Sequence, residues 1–78
     1  MSKLPQVSGQ QTIKTLQKIG FLVVGQRGSH IKLSRVIGEV KQTVTVPNHK
    51  VLKKGTLRNG ILKPINLSIE EFIEILKK

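Results

Sequence analysis

Apolar residues recur along the chain at changing periods, and each change of period marks a new element. Ile13, Leu16 and Ile19 stand three apart and form one narrow helical stripe. Ser8 with Gln11 three residues on is a capping-box pattern ahead of that stripe, and Gly20 suits the left-handed position that closes many helices. The spacing predicts a helix over residues 9–19. Phe21-Leu22-Val23-Val24 is rich in β-branched residues and too short for a helix, so it reads as a buried strand. Gly25-Gln26-Arg27-Gly28 reads as a turn.

Residues 29–35 alternate, with His30, Lys32 and Ser34 on one face and Ile31 and Leu33 on the other. Gly38 and Glu39 mark a loop, and residues 43–46 alternate again until Pro47, which has no N–H for a sheet ladder. Three short strands with short links predict an antiparallel meander, burying Ile31, Leu33, Val44 and Val46 and showing His30, Lys32, Ser34, Thr43 and Thr45. Further on, Thr56 reads as the cap of a brief helix carrying Leu57, Ile61 and Leu62, ended by Pro64. Ser68 with Glu71 is a second capping box, and Ile69, Phe72, Ile73 and Leu76 follow at i, i+3, i+4 and i+7. The order, helix, three strands and helices, predicts a small α+β fold with the sheet on the helices.

Composition narrows what such a fold does. At 78 residues the chain is expected to form a single domain over 1–78. No apolar run exceeds the four of Phe21 to Val24, which excludes a membrane-spanning helix. Met1-Ser2-Lys3-Leu4-Pro5 leads into no apolar segment of the kind a secretory leader carries, so the expected location is cytoplasmic. The chain contains no Cys and no Asp, which removes disulfides, thiolate metal sites and Ser-His-Asp chemistry. His30 and His49 are the only histidines, and neither has a carboxylate at ligand spacing; no metal and no cofactor are expected.

Charge then changes the picture most. Fourteen Lys and Arg oppose four Glu, a net of +10. Residues 1–69 hold 12 of the basic residues against Glu39 alone, a net of +11. A field of that sign attracts phosphates. With no Trp, no Tyr and only Phe21 and Phe72 as rings, base stacking is not the grip, which leaves phosphate, ribose and groove shape.

His30 follows Gly28-Ser29 at the start of a strand, on its polar face, with Arg27 and Lys32 beside it. Histidine is the side chain that exchanges protons near neutrality. RNA carries its own nucleophile, the 2′-hydroxyl, so one base and neighbouring cations suffice for cleavage. His49, in the loop after the third strand, is a secondary candidate. Lys53, Lys54 and Arg58 flank the helix start at Thr56 and read as phosphate contacts. Three readings stay open on these residues: a nuclease, a non-catalytic RNA-binding module, and a basic interaction protein that docks an acidic partner.

The chain resembles the HicA family of small mRNA interferase toxins over nearly its whole length. The landmarks are Leu4-Pro5 and Val7-Ser8-Gly9, Gly20-Phe21, Gly28-Ser29-His30, Thr45-Val46-Pro47 with His49, Gly55-Thr56-Leu57-Arg58, and Ser68 with Glu70-Glu71-Phe72. It departs from the family pattern at Ile31, where polar or basic residues are common, and at residues 59–64, which are looser than a regular helix. The resemblance implies a double-stranded-RNA-binding-domain-like fold and ribosome-independent mRNA cleavage, with His30 as the catalytic residue. Phosphate contacts are then expected from Arg27, Ser29, Lys32, Lys53, Lys54 and Arg58. It also implies an inhibitory HicB-like antitoxin that covers His30.

Overall fold

The computed structural model describes residues 4–78; the leader reading at Met1, Ser2 and Lys3 falls outside them. The chain folds as α1 (Gly9–Gln17), β1 (Leu22–Arg27), β2 (His30–Ile37), β3 (Val40–Pro47), a π-helical segment (Thr56–Leu62) running into a 3₁₀ turn (Lys63–Ile65), and α2 (Ile69–Lys77). The sheet is an antiparallel meander in the order β1-β2-β3, the α+β arrangement expected.

The first capping box forms as its spacing demands. Ser8 Oγ accepts from the Gln11 N–H at 3.0 Å, and Gln11 Oε1 accepts from the Ser8 N–H at 2.9 Å. Thr12 and Thr15 are buried on the same helix, each donating its hydroxyl to the carbonyl four residues back (Ser8 and Gln11), so neither costs an unmet bond. The regular helix stops at Gln17, two residues short of the predicted end. Bonds from Phe21 N–H to the Leu16 carbonyl and from Gly20 N–H to that of Gln17 close it, the paired pattern of a Schellman ending.

β1 corrects the sequence reading twice. Phe21 is buried, but Leu22, Val23 and Val24 are 68%, 48% and 58% exposed, because the helices pack over β3 and leave β1 largely uncovered. Gly25, Gln26 and Arg27 are not a turn; they pair with Lys32, Ile31 and His30, after a bulge between Val23 and Gly25. The turn is Gly28-Ser29 alone. Gly28 has φ +60°, the conformation a two-residue type II′ hairpin requires at its first central position. Ser34, read as exposed, is buried, since Leu22 and Thr43 flank it from both neighbouring strands.

One face of the sheet carries Ile31, Leu33, Val44 and Val46 into a core shared with Leu16, Leu57, Ile61, Leu62 and Phe72. Each such side chain, fully buried, contributes about 1.5–3 kcal/mol. Leu4, Val7 and Leu52 join this core although no periodicity announces them, and Leu52 N–H donates to the Val7 carbonyl at 2.8 Å. Arg35 closes the sheet against the helices. Its guanidinium lies 4.6 Å from the centre of the Phe21 ring, and it donates to Gln42 Oε1 at 2.8 Å and to the Ile19 carbonyl at 2.9 Å.

Thr56 does not cap the next helix: Gly55 precedes it in a helical conformation and no side chain caps the segment. The backbone stays helical through Pro64 rather than ending before it. It widens to a π-helix, whose i→i+5 bonds take up an extra residue per turn, and Lys63 N–H donates to the Arg58 carbonyl. That widening is the physical form of the looseness legible in residues 59–64.

At α2, Ser68 Oγ accepts from the Glu71 N–H and Glu71 Oε1 accepts from the Ser68 N–H, both at 3.0 Å. Lys18 Nζ caps the other end by donating to the carbonyls of Ile75 and Lys78. The bonds to the Ser68 backbone N–H and hydroxyl hold the Glu71 carboxyl below its ordinary range. A lowered carboxyl stabilises the fold above its unfolded pKa and loses that contribution as pH falls through the folded one. Thermal melting followed from neutral pH into acid should therefore show a drop at and below the carboxylate range that is smaller in Ser68→Ala.

Candidate functional site

The hairpin of β1 and β2 brings the predicted cations to the predicted base. Arg27 and His30 face each other across the Gly28-Ser29 turn, and Lys32 lies two residues further on the same face, opposite Gly25 on β1 and Thr45 on β3. Together with Gln26 these residues line an open cleft of about 330 Å³. The cleft occupies the sheet face away from the helices. Two cations and one imidazole line it and no carboxylate does, so the local potential favours an anion.

The scaffold fixes His30 through its backbone while leaving the ring exposed. Its position in β2 is paired with Arg27 on one side and Pro47 on the other. The turn before it is held from the far side, where Asn48 N–H donates to the Ser29 carbonyl at 2.6 Å. Asn48 Oδ1 in turn accepts from Gln10 Nε2 at 3.0 Å, and the His49 carbonyl accepts from the Gly9 N–H at 2.8 Å. The start of α1, the loop after β3 and the turn before His30 thus form one hydrogen-bonded block. The turn is also bonded within the hairpin, where Gln26 Nε2 donates to the Gly28 carbonyl at 3.0 Å.

The other predicted residues are placed differently. Ser29 is exposed in the turn and contributes its carbonyl to the Asn48 bond rather than lining the cleft. His49 is exposed in the loop after β3, outside the cleft lining, and its backbone makes structural bonds to Gly9 and Pro47. Lys53, Lys54 and Arg58 are exposed around the start of the π-helical segment and do not line the cleft. They form a separate basic station on the helical layer. Thr45 and Gln26 also line the cleft, and no sequence motif marks either for chemistry. Thr45 shares the alternation of His30 and Lys32 and was legible as a neighbour, whereas Gln26 joins only because β1 runs on through the expected turn.

Among the described residues no helix is long and apolar enough to cross a membrane. No individual curated protein or solved structure matches the chain significantly. A family model described as the HicA toxin of bacterial toxin–antitoxin systems matches residues 9–67, a span that takes in the cleft, both hairpins and the π-helical segment. With that match over most of its length, on a helix, three-stranded meander and helices, the chain belongs to the HicA toxin family.

Proposed function

We propose that this toxin is a cytoplasmic mRNA endoribonuclease that works without a metal ion, with His30 as the base. The observation that carries the reading is the cleft, where an exposed imidazole stands beside Arg27 and Lys32 on the β1–β2 hairpin. An RNA phosphate drawn to the two cations brings its adjacent 2′-hydroxyl to the imidazole. His30 takes the hydroxyl proton as the 2′-oxygen attacks phosphorus. Arg27 and Lys32 offset the charge that builds on the non-bridging oxygens. The 5′-oxygen leaves with a proton from water, so the products are a 2′,3′-cyclic phosphate and a 5′-hydroxyl.

The decisive assay is incubation with RNA in EDTA, using one substrate with ribose and one with 2′-deoxyribose at the cut site. Cleavage of the ribose substrate alone, with cyclic phosphate ends, is the expected result. Equal cleavage of both refutes the 2′-hydroxyl route, and tight binding without cleavage identifies a non-catalytic RNA-binding module.

Ser29, Lys53, Lys54 and Arg58 extend the phosphate contacts beyond the cleft in this reading, with His49 as a secondary contact. Binding to single-stranded RNA should weaken with salt by about 0.7 log unit per log unit of salt for each phosphate contact. Replacing Lys53 and Lys54 with alanine should then lower that slope by about 1.4 and leave the cleavage step of bound RNA unchanged. Titrations at several salt concentrations measure the first quantity, and single-turnover rates at saturation the second.

Membership of the family implies a HicB-type antitoxin as the partner. In our reading the antitoxin inhibits by setting acidic residues against Arg27, His30 and Lys32, so that it and RNA compete for one surface.

A further inference from the structure

β1 exposes three consecutive apolar side chains in a strongly basic chain, whereas the other exposed apolar residues, Val36, Ile37, Val40 and Val51, lie at the β2–β3 turn and in the loop after β3. Fourteen of 78 residues are Lys or Arg, yet no charged residue falls from Phe21 to Gln26. Leu22, Val23 and Val24 are all exposed. Successive strand residues point to opposite faces, so solvent meets apolar side chains on both sides of this strand. Val36, 66% exposed, extends the surface on β2, two residues beyond Ser34, the partner of Leu22.

β1 is also an edge, and its outer N–H and C=O groups point away from β2. Natural edges are usually guarded by charge or proline. β3, the opposite edge, follows that rule with exposed Lys41 and terminal Pro47. β1 carries the bulge at Val24, which interrupts its pairing with β2, and a charge only at its last residue, Arg27, so its first five residues are unguarded by charge or proline.

We infer that the outer edge of β1 takes up an extended strand from an acidic protein partner, apolar where it passes Leu22 and Val23 and acidic where it reaches Arg27. Charge selects the occupant. A second copy of this chain would bring two proteins of net charge +10 edge to edge, whereas an acidic chain makes the same field attractive. Main-chain bonds then supply affinity and the exposed apolar side chains supply fit. The inference rests on the toxin–antitoxin reading, with the HicB-type antitoxin as that partner. It adds a second anchor to the occlusion described above: β1 contributes Gly25, Gln26 and Arg27 to the cleft, so a strand laid along it ends beside His30.

The test uses the full chain, free and co-purified with the HicB-type antitoxin of its pair. Hydrogen exchange at residues 22–27 should slow by about tenfold or more in the complex. Leu22→Lys combined with Val24→Lys, both exposed and outside the cleft, should weaken the complex by about tenfold or more in calorimetric titration. Its melting temperature and its RNA cleavage should match the wild type. Unchanged exchange across β1, or wild-type affinity in the double variant, overturns the inference. So does a free chain that sediments as a dimer with β1 already protected, since the occupant is then a second copy. Exchange and affinity are read without RNA, so a failure of the nuclease reading shows in the cleavage assay and leaves this test intact.

Discussion

Replacing His30 with alanine is expected to lower RNA cleavage by about 10²–10⁴-fold, the usual contribution of a positioned acid–base group. The fold should survive, because the ring is exposed at the start of β2 and the backbone pairing with Arg27 and Pro47 does not involve it. RNA affinity should change little, since the cations that hold phosphate remain. Arg27→Ala and Lys32→Ala behave differently in this scheme. Each removes a charge that grips the ground state as well as the transition state, so each weakens binding and the cleavage step together. Single-turnover cleavage at saturating protein separates the two effects, and added imidazole should restore part of the rate to His30→Ala but none to the cation variants. A His30→Ala protein that melts like the wild type and cuts at the wild-type rate would falsify His30 as the base.

Gly9→Ala is the second large effect, and its sign opposes simple propensity. In a free helix, alanine is better than glycine by about 1 kcal/mol. Here a Cβ on Gly9 would fall well inside contact distance of the Pro47 carbonyl oxygen and 2.9 Å from Asn48 Cα. Both obstacles are backbone, in a loop tied to α1 by the Gly9 N–H bond to the His49 carbonyl. The clash must push α1 and the loop apart, and over-packing of this kind costs about 1–3 kcal/mol or more. For a 60–100-residue domain each kcal/mol lowers the melting temperature by about 4–8 °C. The same displacement pulls on Asn48, whose N–H holds the Ser29 carbonyl before His30. Gly9→Ala should therefore lose cleavage below its melting transition as well as stability, whereas Gly60→Ala, with open space around its Cβ, should lose neither. Melting curves and cleavage rates at a common low temperature distinguish the two.

Much of this fold was legible because local physics left little choice. Both capping boxes read from Ser8 with Gln11 and Ser68 with Glu71 form with paired bonds near 3 Å, and the alternation through β2 and β3 buries Ile31, Leu33, Val44 and Val46 as expected. The errors cluster where a neighbour decides. Phe21, Leu22, Val23 and Val24 read as a buried strand because β-branched residues usually are buried, but packing between distant elements decides which strands the helices cover, and here they cover β3 and leave all but Phe21 of this stretch exposed. Thr56 looked like a cap because its residue type suits one, yet the helical backbone begins before it.

For the site, the ingredients are legible along the chain: a basic composition without spare aromatic rings or Asp, Gly28-Ser29 before a strand, and His30 in alternation with Lys32. The sequence also carried the family, since the order and spacing of short motifs survive without a structure. The tertiary fold alone decided which of those ingredients meet. Pairing of β1 with β2 set Arg27 opposite His30, and pairing with β3 brought Thr45 alongside Lys32, while Lys53, Lys54 and Arg58 went to the helical layer. The fold also left the apolar edge of β1 open. Side-chain alternation is a property of one strand and can be read along it. Register, bulges and edges are relations between strands, and those are set by contacts between residues far apart in the chain.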